Sequence, residues 1–391
     1  MEFELWWLLG LPLFFALGWM AARVDIKQLL SESRALPLSY FKGLNFLLNE
    51  QPDKAIEALI ELVKVDPQTI ELHFALGSLF RRRGEVERAI RMHQNLLDRP
   101  SLRGEERLHA LYELAQDYLK AGFLDRAEEM FAKLVGTEYE QRGLTFLLEI
   151  YEQEKDWNKA IDVSHRMDPV TGNSNDRDIA NYYCELAITE ISGSGSAAAR
   201  PFLEQALSVN QNCVRANIIL GDIAMADGDA EEAIKCWTRI EQQDPEFLSL
   251  VSEKIFNAYR QLSRSEEGAR VVRDYLSRYP SLDLLNASFD SELEVQGAES
   301  ANRLVREELA RNPTLLGLDK LLEAQLMDAP PERRNDLQLI KDLIHQHTRS
   351  LAQYRCDACG FKARQFYWHC PACNGWETYP PRRSEERENA G

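Results

Sequence analysis

Residues 221–245, GDIAMADGDAEEAIKCWTRIEQQDP, decide the fold of this chain. They place Gly221, Ala233 and Pro245 at intervals of twelve residues, and Gly228 interrupts two stretches with helical spacing of apolar residues. Small residues let two antiparallel helices approach closely, and a proline ends the second helix because it cannot continue a hydrogen-bonded turn. The stretch therefore predicts a helix, a turn and a second helix.

The same spacing recurs along the chain. Gly43, Ala55 and Pro67 repeat it, and Gly77 and Ala89 follow 34 residues after the first two. Further alanines mark the second helix of other units: Ala127, Ala160, Ala199, Ala269 and Ala301. This period and order of small residue, Ala and Pro resembles the tetratricopeptide repeat family. About eight such units are predicted over residues 35–313, and the later units are more degenerate.

An array of this kind gives an all-α fold, a tetratricopeptide-repeat α-solenoid whose concave face is lined by the first helix of each pair. We expect partner proteins to bind that face, with Tyr40, Phe74, Arg81 and Tyr112 as candidate groove residues. Residues 314–350 continue as a helical connector, a ninth pair with Pro330-Pro331 in its turn.

Four cysteines near the C-terminus form two Cys-x-x-Cys pairs separated by ten residues: Cys356, Cys359, Cys370 and Cys373. Two tight turns that face each other present four thiolates in a tetrahedron, the geometry of zinc or of a single iron. The alternatives are a redox-active dithiol or two disulfides. We expect residues 351–380 to form a small module that folds around one metal ion, with Phe366, Trp368 and Trp376 packed round the site and Gly360, Asn374 and Gly375 at positive φ.

The knuckles Cys-x-x-Cys-Gly and Cys-Pro-x-Cys resemble the metal-binding domain of rubredoxins. That resemblance favours iron, whereas the short segment between the knuckles also admits zinc and favours a structural module over electron transfer. A membrane-tethered electron-transfer protein stays as the alternative function. The charged residues 381–391 are predicted to be a disordered tail.

The N-terminal residues 5–22, LWWLLGLPLFFALGWMAA, carry no charge. Eighteen helical residues span about 27 Å, which is close to the thickness of a thin bilayer core. We predict a transmembrane anchor over residues 1–22 and a juxtamembrane linker over 23–34; a cleaved signal peptide is the alternative, although Glu2 and Glu4 stand where a basic start is usual. The basic residues after the span place the N-terminus outside and the rest of the chain in the cytoplasm.

The formal net charge of −17 disfavours nucleic acid as a partner. The sequence also contains no H-E-x-x-H, no G-x-x-x-x-G-K-[ST] and no G-x-S-x-G motif, so we expect no enzyme activity. The odd cysteine count of seven, with four in a cluster, favours a reducing compartment over a disulfide framework.

The membrane helix, the repeat array and the knuckle pair together resemble the lipopolysaccharide assembly protein B family of Gram-negative bacteria. The resemblance implies a single-pass inner-membrane adaptor with a periplasmic N-terminus. Its implied partners are a membrane-bound AAA+ zinc protease, the deacetylase of the lipid A pathway that this protease degrades, an inner-membrane regulator that senses lipopolysaccharide, and lipopolysaccharide transport and assembly proteins. Separately, we hypothesise that the metal module docks on the inner side of the repeats and fixes their shape, because residues 315–351 offer only a helical, semi-rigid connection.

Overall fold

The structure is a computed structural model that describes residues 15–16, 18–19, 46, 51–65, 68–172, 174–348 and 351–389. The chain divides into two compact units, Met1–Gln153 and Glu154–Gly391. Each unit has its own hydrophobic clusters, built from helices that pack in sequential pairs.

The described helices of the first unit follow one another with short turns. They are α1 (Pro52–Val65), α2 (Ile70–Arg83), α3 (Val86–Leu97), α4 (Glu105–Lys120), α5 (Leu124–Ala132) and α6 (Glu140–Glu154), the last of which ends one residue into the second unit.

The second unit continues the pattern and then changes character. Its repeat helices are α7 (Trp157–Thr171), α8 (Asp176–Gly193), α9 (Ser196–Val209), α10 (Val214–Ala226), α11 (Ala230–Thr238), the short α12 (Ile240–Gln243), a 3-10 helix (Pro245–Leu250), α13 (Ser252–Gln261), α14 (Ser265–Arg278), α15 (Leu282–Gln296), α16 (Ala298–Arg311), α17 (Leu315–Asp328) and α18 (Pro331–Thr348). Two short antiparallel strands, β1 (Tyr354–Arg355) and β2 (Lys362–Ala363), and a final helix α19 (Ser384–Asn389) complete it. The predicted fold class is therefore confirmed: a tetratricopeptide-like solenoid with a small C-terminal ribbon domain.

The repeat glycines are required by close approach between the two helices of a pair. A Cβ atom on Gly221 would lie 2.3 Å from the indole Nε1 of Trp237, and one on Gly77 would lie 2.3 Å from Nε2 of His93. Both contacts are with rings that are almost fully buried. Substitution at either glycine would force the helices apart, which explains the small residue in the repeat pattern.

The alanines of the second helices are buried at the same interfaces. Ala55, Ala89 and Ala233 have no exposed surface. The same burial holds in the weaker units, where exposure does not exceed 3%: Ala127, Ala160, Ala199, Ala269 and Ala301. The period read from the sequence thus corresponds to real packing positions.

Several predictions from the N-terminal sequence lie outside the described residues. These include most of the anchor at 5–22, the linker at 23–34, the groove residue Tyr40 and the repeat markers Gly43 and Pro67. Among the residues that are described, no helix combines the length and apolar character needed to cross a membrane.

The prediction of a disordered tail over residues 381–391 is wrong for its described part, 381–389. This segment, called the C-terminal segment below, ends in α19, and Glu385 is buried. Composition suggested disorder because the segment is highly charged. Its charges instead find specific partners on the repeats, which offsets the entropy lost on ordering.

Candidate metal centre and its seat on the repeats

The four cysteines converge on one point. One sulfur from each of Cys356, Cys359, Cys370 and Cys373 lies within 4.8 Å of all the others. The Cys356–Cys373 and Cys359–Cys370 sulfur pairs are both 3.8 Å apart. A tetrahedral site with metal–sulfur bonds of about 2.3 Å requires sulfurs separated by about 3.8 Å. The donor set therefore fits one zinc or iron ion, bound within residues 351–380, called the metal module below.

Each knuckle is a tight turn closed by its own backbone. The Gly360 N–H donates to the carbonyl of Cys356 over 3.0 Å, and the Asn374 N–H donates to the carbonyl of Cys370 over 2.9 Å. Gly360 and Asn374 have φ of 77° and 55°, as the sequence predicts. Gly375 is not among the described residues with positive φ. A Cβ there would lie 2.7 Å from Cγ2 of Thr378, so this glycine is needed for space rather than for its backbone angle.

The thiols are inequivalent. Burial opposes ionisation of Cys356, but its hydrogen bond with Thr378 and those from backbone N–H groups lower its pKa to about 6. The Phe361 N–H favours the Cys359 thiolate, yet burial and the neighbouring sulfurs raise its pKa to about 12. The raised pKa of Cys359 reflects the unfavourable interaction of four sulfurs at one point. A divalent ion would stabilise all four thiolates together.

The metal module has a small aromatic core of its own. Tyr379 is fully buried, and its hydroxyl donates to the backbone carbonyl of Tyr354 over 3.1 Å. Phe366 and Tyr367 surround the Tyr379 ring. Tyr379 follows the knuckles without any spacing rule, so the sequence did not single it out.

Trp376 packs against the repeats. Its indole meets Trp157 of α7 and Tyr182 of α8 edge to face, with ring centroids 6.1 and 5.8 Å apart. The two receiving rings stack on each other at 5.7 Å. His369 stacks on Trp376 at 4.4 Å, and its Nε2 donates to the Asn374 carbonyl over 2.9 Å, so it serves packing within the module. Trp376, which the sequence predicted to pack round the site, thus also anchors the module to α7 and α8.

A second aromatic anchor lies further along the array. Trp368 stacks on Phe247 of the 3-10 helix, with centroids 5.2 Å apart and an angle of 4°. Phe366 meets the same ring edge to face. Arg215 of α10 lies 5.8 Å from the Trp368 ring and 5.5 Å from the Trp376 ring, within cation–π distance of both.

Polar contacts fix the orientation between these anchors. Nδ2 of Asn181 donates to Oε1 of Glu377 over 2.9 Å, and Arg177 lies 3.6 Å from the other oxygen. Burial raises the pKa of Glu377, against the stabilising effect of Asn181 and Arg177. Arg215 pairs with Glu185 over 2.5 Å, which holds the guanidinium between the tryptophans.

The C-terminal segment adds a third point of attachment. Arg383 forms three hydrogen bonds of 2.8, 3.0 and 3.3 Å with the carboxylate of Asp283 in α15, and its guanidinium lies 4.1 Å from the Tyr354 ring. Tyr354 donates to the same carboxylate over 3.0 Å. Asp283 therefore joins the repeats both to the start of the metal module and to the C-terminal segment.

Two neighbouring carboxylates of α19 cap the N-termini of two repeat helices. Glu386 accepts from the Leu282 N–H of α15 over 2.7 Å. Glu385 accepts from the Leu315 and Leu316 N–H groups of α17. Negative charge at a helix N-terminus is favourable because the first N–H groups lack partners within the helix.

Together, Trp157, Asn181, Tyr182, Arg215, Phe247 and Asp283 form what we call the seat of the metal module. Each contact pairs residues that are far apart in sequence, so no local pattern marks the seat. The residue types are a partial signal for an interface, since arginine and tryptophan are enriched at interfaces.

The candidate groove residues fall in the first unit, apart from the undescribed Tyr40. Phe74 meets His109 edge to face at 4.4 Å. Tyr112 lies in a half-buried aromatic cluster with Tyr139 and Phe146.

Arg81 belongs to a buried ion-pair network. It bonds Glu113 and Asp117 at 2.7 Å each, and Asp117 also bonds His93 over 2.5 Å. Burial opposes ionisation of Glu113, but Arg81 outweighs it and lowers the pKa of Glu113. The Arg81 guanidinium therefore joins α2 to α4 within the array.

Comparison with known proteins agrees with these features. A rubredoxin metal binding domain matches residues 354–381, and the tetratricopeptide repeat matches residues 42–96 and 184–246. A tetratricopeptide repeat protein from Parabacteroides merdae, a solved structure, is 15% identical with a TM-score of 0.28 and covers 74% of this chain and 97% of that one.

Two curated relatives match almost end to end. Lipopolysaccharide assembly protein B of Escherichia coli (strain K12) is 36% identical over 95% of this chain and 97% of that protein. The protein of the same name from Haemophilus influenzae is 30% identical over 96% of this chain and 98% of that protein. These relatives are named as assembly proteins and share the tetratricopeptide scaffold, and no catalytic family is indicated. This chain is a member of the lipopolysaccharide assembly protein B family.

Proposed function

We propose that this protein is a non-catalytic, membrane-anchored adaptor in lipopolysaccharide assembly. In this role it brings the deacetylase of the lipid A pathway to a membrane-bound AAA+ zinc protease, so that the deacetylase is degraded. The names of the full-length relatives support the lipopolysaccharide part of this proposal. The apolar residues 5–22 support an inner-membrane anchor with the N-terminus in the periplasm. An anchor would raise the adaptor's effective concentration near a membrane protease.

The observation that carries the adaptor role is a difference between the two units in what the first helix of each repeat pair contacts. In the second unit, α8, α10 and α15 hold the metal module. In the first unit, the corresponding helices α2 and α4 carry the half-buried aromatic rings of Phe74 and Tyr112. Half-buried aromatic side chains on a repeat surface are suited to protein binding because they provide large contact areas at low entropic cost.

We propose that the aromatic cluster around Tyr112 contacts the deacetylase or another protein of the lipopolysaccharide transport and assembly machinery. The membrane anchor then contacts the protease and the lipopolysaccharide-sensing regulator. Nucleic acid has no part in this role, given the charge of −17.

The metal ion has a structural role in this proposal. It would be held by the four thiolates and would fix both knuckles, so that Trp368, Trp376 and Glu377 reach the seat together. The rubredoxin resemblance favours iron, and the same tetrahedral site accepts zinc. Elemental analysis of the purified protein decides between them.

Co-purification tests the adaptor role. The full chain is purified from detergent-solubilised membranes, alongside the double variant Phe74→Ala/Tyr112→Ala and the control Phe123→Ala, which removes an exposed aromatic ring of the same unit. We expect the wild type and the control to retain the deacetylase and the protease, and the double variant to lose the deacetylase. Equal deacetylase lifetimes in cells with and without this protein would overturn the proposal.

Electron transfer is the second candidate function, because two of the four candidate ligands, Cys359 and Cys373, are exposed. An iron-loaded protein would then show a reversible change in visible absorption on reduction. Zinc in the purified protein would exclude this function.

A further inference from the structure

Two cysteines outside the metal module face each other on α8 and at the start of α10, two helices that also supply residues of the seat. The sulfur atoms of Cys184 in α8 and Cys213 at the start of α10 are 3.8 Å apart. Both side chains are fully buried. We propose that Cys184 and Cys213 form a redox-active dithiol that hydroperoxides convert to a disulfide in the folded protein. This proposal does not depend on the proposed adaptor function.

The surroundings of Cys213 favour a thiolate. Cys213 is the N-cap residue of the 13-residue helix α10, a position where the helix dipole stabilises negative charge. The thiol of Cys184 and the backbone N–H of Ala216 both form hydrogen bonds to the Cys213 sulfur, and these bonds lower its pKa. Burial raises the pKa of Cys184, so this thiol stays protonated and acts as the hydrogen-bond donor. One sulfur is thus prepared to attack and the other to resolve the product.

Cys213 directly follows an exposed turn. The preceding residues Gln211 and Asn212, in the turn between α9 and α10, are exposed, whereas Cys213 itself is buried. Hydrogen peroxide is only slightly larger than water and can enter through local opening of such a turn.

The reaction balances with one peroxide. The Cys213 thiolate attacks one oxygen of hydrogen peroxide, the O–O bond breaks, and after proton uptake by the leaving hydroxide a sulfenic acid and one water result. The sulfur of Cys184 then attacks the Cys213 sulfur, the S–O bond breaks, and the thiol proton leaves with the hydroxyl group as a second water. Both sulfurs are oxidised by one electron each, and the peroxide is reduced by two.

The position of the pair links its oxidation to the seat. Asn181 is three residues before Cys184 in the same helix, and Arg215 is two residues after Cys213. Closing the sulfurs from 3.8 Å to a bonding distance of about 2.05 Å moves α8 and the start of α10 toward each other. The contacts of Asn181 with Glu377 and of Arg215 with the tryptophans must then readjust, which would loosen the metal module.

Mass spectrometry of the metal-loaded full chain tests the proposal. The chain is treated with peroxide, and its free thiols are then alkylated. We expect two peptides linked through Cys184 and Cys213, with a mass about 2 Da below the summed mass of the two peptides in their unmodified thiol form. The Cys236→Ser variant, which removes another buried cysteine, is the matched control and should form the link as the wild type does. In Cys184→Ala, which lacks the resolving thiol, dimedone added on denaturation, after the peroxide has been removed, should trap a sulfenic acid on Cys213.

Bound metal is measured in the same samples. Formation of the link while the metal is retained, together with trapping in Cys184→Ala, supports the proposal. A link that forms only after metal loss or in urea overturns it, as does oxidation of Cys236 without any link between Cys184 and Cys213. If Cys184→Ala does not fold, as judged by circular dichroism, the comparison of wild type with Cys236→Ser still decides the outcome.

Discussion

Asn181 donates a hydrogen bond to the carboxylate of Glu377 over 2.9 Å, across 196 residues of sequence. The bond joins the first helix of one repeat to the second knuckle of the metal module. It lies among the rings of Tyr182 and Trp376, where a carboxylate without a partner would be costly. This contact makes the orientation of the module sensitive to a single side chain.

Replacing Asn181 with Ala is expected to destabilise the docked module. The Glu377 side chain, which is 18% exposed, loses its amide donor, and an unsatisfied, mostly buried acceptor costs about 1–3 kcal/mol. Hydrogen exchange of the module backbone and urea unfolding measure the effect. The control is Asn335→Ala on the exposed side of α18, which should change neither quantity. Unchanged exchange in the Asn181 variant would show that the bond contributes nothing to docking.

Glu377 also predicts a pH dependence. Burial raises its pKa in the folded protein above the ordinary value of 4.5. The folded state therefore binds a proton more tightly than the unfolded state, and this group's contribution to stability falls as pH rises through the window between the two values. We expect Glu377→Gln to remove this part of the pH dependence. Denaturant unfolding at several pH values checks it, and identical slopes for variant and wild type would contradict the assignment.

Arg81→Met is expected to destabilise the first unit more than the loss of an exposed arginine does. Arg81→Met leaves Glu113 and Asp117 buried without their cation, and removing one partner of such a network costs about 3–5 kcal/mol. The adjacent Arg82 is exposed, so Arg82→Met is the control. Thermal unfolding of the two variants should differ clearly.

The same network has the opposite pH sign from Glu377. The pKa of Glu113 is lowered in the folded protein, so its stabilising contribution is present above the unfolded value of about 4.5 and is lost as pH falls through the lower folded value. In Arg81→Met this loss at acidic pH should be absent. Acid unfolding curves of the Arg81 and Arg82 variants test this, and parallel curves would argue against it.

Metal removal should release the module from its seat. A module of about 30 residues buries too little apolar surface to fold without its ion. We expect a strong chelator, or Cys370→Ser, to expose Trp376 and to shift its fluorescence to the red, whereas Cys236→Ser keeps the wild-type spectrum. Retention of the native spectrum in the metal-free protein would mean that the seat alone orders the module.

The carboxylates of α19 should stabilise the ends of two repeat helices. Loss of an N-terminal cap costs about 1 kcal/mol, so Glu385→Ala/Glu386→Ala should destabilise the second unit by about twice that amount. Glu332→Ala, at the start of the exposed α18, is the control. Calorimetry of the three proteins measures the difference, and equal melting temperatures would mean that water replaces both caps without loss.

The repeats and the cysteine site could be predicted because their determinants are local. Gly221 and Trp237 are 16 residues apart and lie in one helix pair, so a fixed spacing records their contact. The four cysteines likewise lie within 18 residues. The pairing of Asp283 with Arg383 spans 100 residues and follows no period. The ordered C-terminal segment was missed for the same reason, since its charges have partners that only the folded repeats bring together.

The aromatic seat has a consequence for synthesis of the chain on the ribosome. Trp157, Tyr182 and Phe247 emerge well before Trp368 and Trp376, and domains generally fold from the N-terminus as they emerge. The apolar side chains of the seat therefore stay uncovered on the folded repeats until the last residues of the chain have been translated. A chain that stops early keeps this surface open, which would mark incomplete products for chaperones and proteases.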